Sequence, residues 1–334
     1  MESFFLKYRF YPRKKILIDR EFSTYIALGF FDGVHSGHQA LLKLCVERAN
    51  HAQAVSAVVL LDPHPKKIVN RMNNFSLLTT LSEKIKIIRG LGIQQVIVLN
   101  FTDELKKISA EDFIAEVLFR KFKMGAVFIG YNYHFGYQKK GDIDLIRLLS
   151  NKYNFKYYVL EPVKIDKGTI VSSTAIRNYL KNGDIVKANR MLGYPYQING
   201  EVIHGDKRGK NLLSFPTANL KTPQDKLLPQ NGIYITSAEI QGKRYQGLVN
   251  IGIKPTFNQI SVAEKIVPTI EVHLFNFEKD IYRKKMTISL LKKIRDEIKF
   301  QDSKELSKQI SKDQLVAEKF FETEGNMGLH YQDS

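Results

Sequence analysis

The sequence predicts an α/β domain followed by a β domain. The N-terminal half is predicted to form a doubly wound, Rossmann-like parallel sheet, and the C-terminal half a small antiparallel barrel or sandwich with a terminal helix. Three observations support this. The length, 334 residues, fits two domains better than one. Apolar runs alternate with helical patterns up to about residue 190, and short strand-like runs separated by turn residues follow.

The first half reads as strand, helix, strand, helix, which implies right-handed crossovers and helices on both faces of a parallel sheet. Its strands are predicted from apolar runs, the mark of strands buried on both faces. Its helices are predicted from apolar residues at helical spacing. The predicted strands are 25–28, 54–61, 95–99, 126–129 and 157–160, and the predicted helices are 39–49, 82–89, 111–122 and 142–151.

The second half reads as antiparallel β structure, either a small barrel or a sandwich. The predicted strands are 197–204, 233–240, 246–251, 269–275 and 286–290. A closing helix is predicted from the spacing of Leu306, Ile310, Leu315, Val316 and Phe320. We expect a first domain at 1–186, a second at 187–325 and a frayed tail at 326–334, with the boundary in KNGDIVKANRMLGYPY.

The chain is strongly basic, with 51 Lys and Arg against 34 Asp and Glu and a net charge of +17. This favours polyanionic partners, either nucleic acid or phosphorylated small molecules. The basic residues are scattered and form no zinc-finger or ribonucleoprotein signature, so a nucleic-acid partner is not expected. The single cysteine, Cys45, fits a reducing compartment. The sequence shows no secretion signal and no apolar run of membrane-spanning length, so we expect a cytoplasmic protein without a membrane partner.

The stretch FFDGVHSGHQALL, residues 30–42, carries two histidines around a glycine where an apolar strand gives way to a helix. In doubly wound sheets, ligands bind at the carboxyl ends of strands beside helix N-termini, whose free N–H groups attract anions. His35 and His38 would direct further donors at a phosphate, and Gly33 and Gly37 would let the backbone approach it. The alternative is that the histidines merely cap the helix or line a surface.

A second phosphate-contacting element is predicted in VSSTAIRNYL, residues 171–180. Ser172, Ser173 and Thr174 are good N-cap residues for a short helix, and Arg177 would project a guanidinium group from its first turns. That group suits bidentate phosphate binding, and the alternative is a surface salt bridge.

In the second half, a basic glycine loop precedes two polar residues in HGDKRGKNLLSFPTANL, residues 204–220. Thr217 and Asn219 would face the same side of an extended segment, where their oxygens can hold Mg²⁺ and ATP phosphates. An ordinary turn is the alternative. In TIEVHLF, residues 269–275, alternation places Glu271 on the face opposite the apolar residues. Glu271 is therefore a candidate general base, or else a solvated strand residue.

Taken together, these stretches resemble a known family. GFFDGVHSGHQAL at 29–41, DPHP at 62–65, GYNYHFGYQKKGD at 130–142 and VSSTAIRNYL are similar to the HxGH nucleotidylyltransferase superfamily, and more closely to bacterial bifunctional riboflavin kinase/FAD synthetases. PTAN, NIGIKPTF at 250–257 and TIEVHLFNFEKDIY at 269–282 resemble the riboflavin kinase module of the same enzymes. The resemblance implies a barrel for the second domain and spans about residues 15–322.

The resemblance implies two ATP-dependent reactions, riboflavin to FMN and FMN to FAD with release of pyrophosphate. His35, His38 and Arg177 would serve adenylyl transfer, Glu271 would be the base for the riboflavin hydroxyl, and Thr217 and Asn219 would bind Mg²⁺. The small-molecule partners would be riboflavin, FMN and ATP, and the chain would be a monomer or a weak homo-oligomer. The further residues implied in ATP or flavin binding are Gly29, Phe30, Asp32, Gly33, Gly37, His64, Asn132, Ser172, Ser173, Thr174, Gly205, Gly209, Thr217, Asn219 and Asn250.

Three positions depart from the family pattern. Ser214 stands where the family has glycine before FPTAN, Arg283 stands where it has glycine after Tyr282, and Lys139 or Lys140 stands where arginine is common. Two of these changes fall in the kinase module, so one alternative is a monofunctional FAD synthetase with an impaired kinase domain. The basic charge motivates another alternative, a flavin- or RNA-binding regulator built on the same scaffold.

Overall fold

The computed structural model describes residues 7–12, 23–65, 75–203, 217–253 and 268–327. The chain divides into two compact units, Met1–Ser173 and Thr174–Ser334. The domain boundary that we placed at 186/187 stays a prediction. None of the described helices combines the length and the hydropathy needed to cross a bilayer.

The first unit is built on a six-stranded sheet with the order β1-β4-β3-β2-β5-β6. Strands β2 to β6 are parallel, as the alternation of strand and helix predicts. The strands are β1 (Tyr8–Pro12), β2 (Thr24–Leu28), β3 (Val55–Asp62), β4 (Gln95–Asn100), β5 (Met124–Gly130) and β6 (Lys156–Leu160), and a separate short hairpin joins β7 (Lys164–Ile165) and β8 (Thr169–Ile170).

Helices cover both faces of this sheet, and alternate strand residues belong to different cores. Ile26 and Leu28 of β2 belong to one buried cluster, whereas Tyr25 and Ala27 belong to the other. The predicted doubly wound architecture is therefore confirmed. The helices are α1 (Ser36–His51), α2 (Leu81–Gly90), α3 (Asp103–Lys107), α4 (Ala110–Asp112, continued as a π-helix over Phe113–Lys121) and α5 (Ile143–Tyr153).

Strand β1 is an element that the periodicity did not predict. It pairs antiparallel with β4, from Tyr8 opposite Leu99 to Pro12 opposite Gln95, and forms one edge of the sheet. Its five residues are too short and too polar to stand out as a strand, and its position depends on β4, which is far along the chain. The aromatic rings of Tyr8 and Phe10 pack edge-on against Phe122.

The strand order reverses between β2 and β5. The chain leaves β2 toward β3 on one side, and β5 continues toward β6 on the other. In open α/β sheets the crevice at such a reversal is the usual ligand site, at the carboxyl ends of the strands. The two loops that border it follow β2 and β5, and they contain the histidine stretch and the 130–142 stretch.

The second unit contains a closed barrel with the order β10-β13-β12-β11-β14-β9, in which each pair of neighbours is antiparallel. This confirms the barrel rather than the sandwich. The strands are β9 (Tyr196–Ile203), β10 (Ala218–Lys221), β11 (Gly232–Ile240), β12 (Lys243–Ile253), β13 (Pro268–Leu274) and β14 (Lys285–Arg295), and the helices are α6 (Ser173–Lys181), α7 (Ile185–Leu192) and α8 (Ser303–Met327).

Helix α8 packs on the outer face of the barrel through apolar side chains. Ala317, with Phe320 and Phe321 beside it, shares a cluster with Ile235 of β11 and Leu248 of β12. A buried ion pair also fastens this helix, because Arg295 of β14 donates three hydrogen bonds of 2.7 to 3.1 Å to the Asp313 carboxylate. Charged pairs of this bidentate geometry are stronger than neutral hydrogen bonds.

Candidate functional sites

The turn after β2 has a strained backbone. Phe31 has φ 48°, Gly33 has φ 85° and Val34 has φ 36°, all in the left-handed region. Glycine adopts such angles readily, but a β-branched residue with positive φ is a genuine outlier. The side chains of Phe31 and Val34 are fully buried, so packing holds the turn in this shape. Strain of this kind tends to occur at functional sites.

The two histidines meet at the end of this turn. His35 is the N-cap of α1, and its Nδ1 accepts a hydrogen bond of 3.3 Å from the backbone N–H of His38. The two rings stack at 3.6 Å between centroids with 14° between their planes, and Phe31 packs against His38. A Cβ at Gly37 would lie 3.3 Å from Nδ1 of His35, so this glycine leaves room for the ring. His35 therefore caps the helix, and its ring stacks on His38.

Both histidines are neutral at pH 7. Burial lowers the pKa of His35 from 6.5 to about 4, and the Asp32 carboxylate offsets part of this decrease. Burial lowers the pKa of His38 well below its usual value, and the nearby His35 ring and Lys84 ammonium group lower it further. Nδ1 of His38 is buried without a hydrogen-bond partner among the described residues. An anionic ligand would raise both pKa values and favour a donating ring.

The lowered pKa of His35 predicts a pH-dependent stability. The unfolded chain binds a proton near pH 6.5 and the folded chain only near pH 4, so acidification through this interval favours unfolding. The loss amounts to about 3 kcal/mol over the full interval. His35→Asn keeps an N-cap acceptor without the titration, so its deficit relative to wild type should shrink from pH 7 to pH 4.5 in urea unfolding. A constant deficit would contradict the pKa shift.

Residues 79–84 hold the strained turn in place through hydrogen bonds. Nothing in the sequence predicted a role for these residues. The backbone N–H of Gly33 donates to Thr79 Oγ1 at 2.9 Å, and the N–H of Thr79 donates to Asp32 Oδ1 at 3.2 Å. Lys84, on α2, donates from Nζ to the carbonyl oxygen of Phe30 at 2.8 Å. Lys84 is buried, which is rare for lysine. In KIKIIRG, where basic and apolar residues alternate, nothing in the sequence distinguishes Lys84 from an exposed lysine such as Lys86.

The remaining predicted residues of the first unit lie at the carboxyl ends of the strands. His64, beyond β3, is buried with its ring between Phe30 at 5.1 Å and Phe75 at 5.0 Å. Asn132, beyond β5, is exposed, whereas its neighbours Tyr133 and Phe135 pack into the core. A Cβ at Gly29 would touch the Phe31 ring at 3.0 Å.

The serine-rich stretch supplies the start of α6, as the sequence predicts. Ser172 precedes the helix, and Ser173 donates from Oγ to the carbonyl oxygen of Asp32 at 2.8 Å. This bond further holds residues 30–38, which we call the histidine turn. Thr174, which is exposed, and Arg177, which is half-buried on α6, belong to the second unit.

In the barrel, three predicted residues form one row across adjacent strands. Glu271 on β13 lies directly opposite Asn219 on β10 and directly opposite Asn250 on β12. Residues paired in this way point to the same face, with Cβ atoms about 4.5 to 5.5 Å apart. Ile270 and Val272, on either side of Glu271, are buried inside the barrel, so the row faces outward. We call this set, Asn219, Glu271 and Asn250, the outer-face row.

The surroundings of the outer-face row suit a ligand with polar groups. Oδ1 of Asn250 is buried without a hydrogen-bond partner among the described residues. Thr217 is exposed directly before β10, two residues from Asn219. Helix α8 covers the barrel beside the row through Leu248. The predicted Gly205 and Gly209, and the departure at Ser214, lie outside the described residues.

Arg283 shows how this chain accommodates one departure from the family pattern. It has φ 55°, the left-handed conformation that glycine favours, in the turn before β14. An arginine there costs about 1 kcal/mol relative to glycine. Its backbone N–H donates to the carbonyl oxygen of Val202 at 3.0 Å, so the turn keeps its pairing with β9.

The oxygen donors at 217–219 fit a magnesium ion that arrives with ATP. Such an ion takes one or two protein oxygens and completes its shell with phosphate and water. A hydroxyl group and an amide oxygen, beside a carboxylate on the same outer face, meet that requirement. Within the described ranges, no three His, Cys, Asp or Glu side chains cluster so as to hold a metal.

A doubly wound sheet with a histidine turn at its strand reversal, joined in one chain to a barrel with this row, points to a class of two-site enzymes that transfer phosphorus-containing groups. Two family models match the chain in these same places. FAD synthetase matches residues 18–175, and riboflavin kinase matches residues 192–321. The chain belongs to the bifunctional riboflavin kinase/FMN adenylyltransferase family.

Two curated relatives carry the name of this family, and one solved structure shares the fold over most of the chain. The bifunctional riboflavin kinase/FMN adenylyltransferase of Buchnera aphidicola subsp. Schizaphis graminum is 35% identical over 89% of this chain and 93% of its own. That of Bacillus subtilis is also 35% identical, over 92% of this chain and 95% of its own. A Streptococcus pneumoniae crystal structure titled as a macrolide-efflux protein is 27% identical with a TM-score of 0.78, over 92% of this chain and 97% of that one.

Proposed function

We propose that this protein phosphorylates riboflavin to FMN in the second unit and adenylylates FMN to FAD in the first, with one ATP consumed in each reaction. One observation carries the proposal: the chain holds two separate sets of polar groups. One is the histidine turn on the parallel sheet, and the other is the outer-face row on the barrel.

In the adenylylation reaction, an oxygen of the FMN phosphate attacks the α-phosphorus of ATP and pyrophosphate leaves. No side-chain nucleophile is required, so catalysis consists of positioning and of stabilising charge on the phosphate oxygens. The free N–H groups at the start of α1 and the rings of His35 and His38 meet this need. We assign Arg177 to the same phosphate groups, and Asn132 and His64 to nucleotide and flavin contacts.

In the kinase reaction, the 5′-hydroxyl of riboflavin attacks the γ-phosphorus of ATP, its proton passes to a base, and ADP leaves. Glu271 suits the role of base because it projects outward beside two amide side chains that can orient the reactants. We assign Asn250 to the nucleotide, and Thr217 and Asn219 to magnesium, which when bound neutralises triphosphate charge.

We also propose a cytoplasmic location, supported by the buried free thiol of Cys45. The state of association that we propose is a monomer or a weak homo-oligomer.

The test is an assay of the purified protein with riboflavin, ATP and Mg²⁺, with riboflavin, FMN and FAD separated by chromatography over time. We expect FMN to appear before FAD, and both to require Mg²⁺. FAD from added FMN without FMN from riboflavin would instead support a monofunctional synthetase. No turnover of either flavin, with salt-sensitive RNA binding, would support a regulator.

A further inference from the structure

Lys84 occupies an unusual position beneath the histidine turn. Its side chain is 5% exposed, on the first turns of α2, and its Nζ lies 2.8 Å from the carbonyl oxygen of Phe30. The helix that carries it is firmly started, since Thr80 and Glu83 form a reciprocal capping box. Burial of an ammonium group costs free energy unless the site compensates it. An exposed lysine at this position of the helix would not incur that cost.

The charge of Lys84 acts where the phosphate groups would bind. Besides the two histidines themselves, two charged groups act on this pair: Lys84 from α2 and Asp32 from the turn. Among them the ammonium group is the source of fixed positive charge, because both histidines are neutral at pH 7. A cation in a buried environment acts on a nearby anion more strongly than it would in water.

We propose that Lys84 is a positioning residue for adenylyl transfer: it holds the Phe30 carbonyl, and with it the histidine turn, and it supplies fixed positive charge behind that turn for the triphosphate of ATP. The inference rests on the proposed function of the first unit. It adds a residue that lies more than forty positions from the histidines and outside all the stretches that carry the family resemblance.

Three substitutions separate the two parts of this role. Lys84→Met removes the hydrogen bond and the charge, Lys84→Gln keeps a donor for the Phe30 carbonyl without the charge, and Lys84→Arg keeps both in a larger group. Lys86→Met is the matched control, since Lys86 lies two residues along the same helix and is exposed. Circular dichroism and thermal unfolding report whether each variant is folded, and riboflavin phosphorylation by the second unit serves as an internal activity reference.

We expect Lys84→Met to lower kcat/KM for ATP in FAD formation about 100-fold and Lys84→Gln about tenfold, mostly through KM. Lys84→Arg should recover part of the loss, and Lys86→Met should match wild type. A merely structural role would not change the titration of His38, whereas loss of the nearby cation should raise its pKa in NMR titrations of the free protein.

Three results would overturn the proposal: FAD formation by Lys84→Met within threefold of wild type, an unchanged His38 titration, or equal losses in all three Lys84 variants. If Lys84→Met does not fold, the Gln and Arg variants carry the comparison. Wild-type protein that makes no FAD would overturn the proposed function instead, and the His38 titration would still test the placement of Lys84.

Discussion

Glu271→Gln should abolish riboflavin phosphorylation while FMN is still converted to FAD. The substitution preserves the size of the side chain but removes the group that takes the hydroxyl proton, so kcat should fall by about 10²- to 10⁴-fold. Because Glu271 faces outward from the barrel between Asn219 and Asn250, the glutamine creates no cavity in the core. Initial rates of FMN formation from riboflavin, with FAD formation from added FMN measured in parallel, check this result.

The barrel offers a matched control in Glu239, an outward-facing glutamate on β11 opposite Arg244. Glu239→Gln should leave both reactions within about twofold of wild type, since surface substitutions of this kind have small effects. Normal FMN formation by Glu271→Gln would assign the proton transfer to another group. Loss of FAD formation as well, in a folded protein, would contradict the division into two sites.

His38→Ala should have the opposite effect, with FAD formation lowered about 10²- to 10³-fold and riboflavin phosphorylation retained. The alanine removes a ring that stacks on His35 at 3.6 Å, so His35 also loses the contact that fixes its orientation. The cap on α1 stays, because it uses the backbone N–H of residue 38. Rates of FAD formation from FMN, at saturating ATP, measure the effect.

His51→Ala is the control for that variant, since His51 is exposed at the last position of the same helix. It should change neither reaction, because His51 lies at the opposite end of α1 from His35 and His38. A folded His38→Ala protein that forms FAD at a normal rate would remove the histidine turn from the proposed mechanism. Loss of both reactions in a folded His38→Ala protein would indicate one shared site.

The sequence predicted the elements whose signals are local. The buried strands and the four predicted helices of the first unit lie within a few residues of their predicted ranges, because long apolar runs and helical spacing fix them, whereas the short helix α3 was not predicted. The histidine turn was also predicted, although its strained backbone was not, since nothing in FFDGVH shows that Phe31 and Val34 take left-handed angles.

Long-range pairing explains what the sequence did not predict. The alignment of Asn219, Glu271 and Asn250 depends on strand register between segments far apart in the chain, which alternation alone cannot supply. The hydrogen bond from Lys84 to the Phe30 carbonyl oxygen joins residues 54 positions apart and involves a backbone atom. The residue types in the sequence therefore could not predict it. Strand β1 was missed because its place at the sheet edge is decided by β4.

The antiparallel strand at the edge of the sheet has a consequence for how this protein can be shortened. Strand β4 reads QVIVLN, and β1 covers its hydrogen-bonding edge from Leu99 to Gln95. Deletion of residues 1–12 would leave that edge bare, and an apolar edge is a template for pairing with a second molecule. The truncated chain would retain every proposed catalytic residue but would aggregate over time, which light scattering detects. A lower yield of soluble protein after this deletion would therefore reflect self-association and not a loss of catalytic activity.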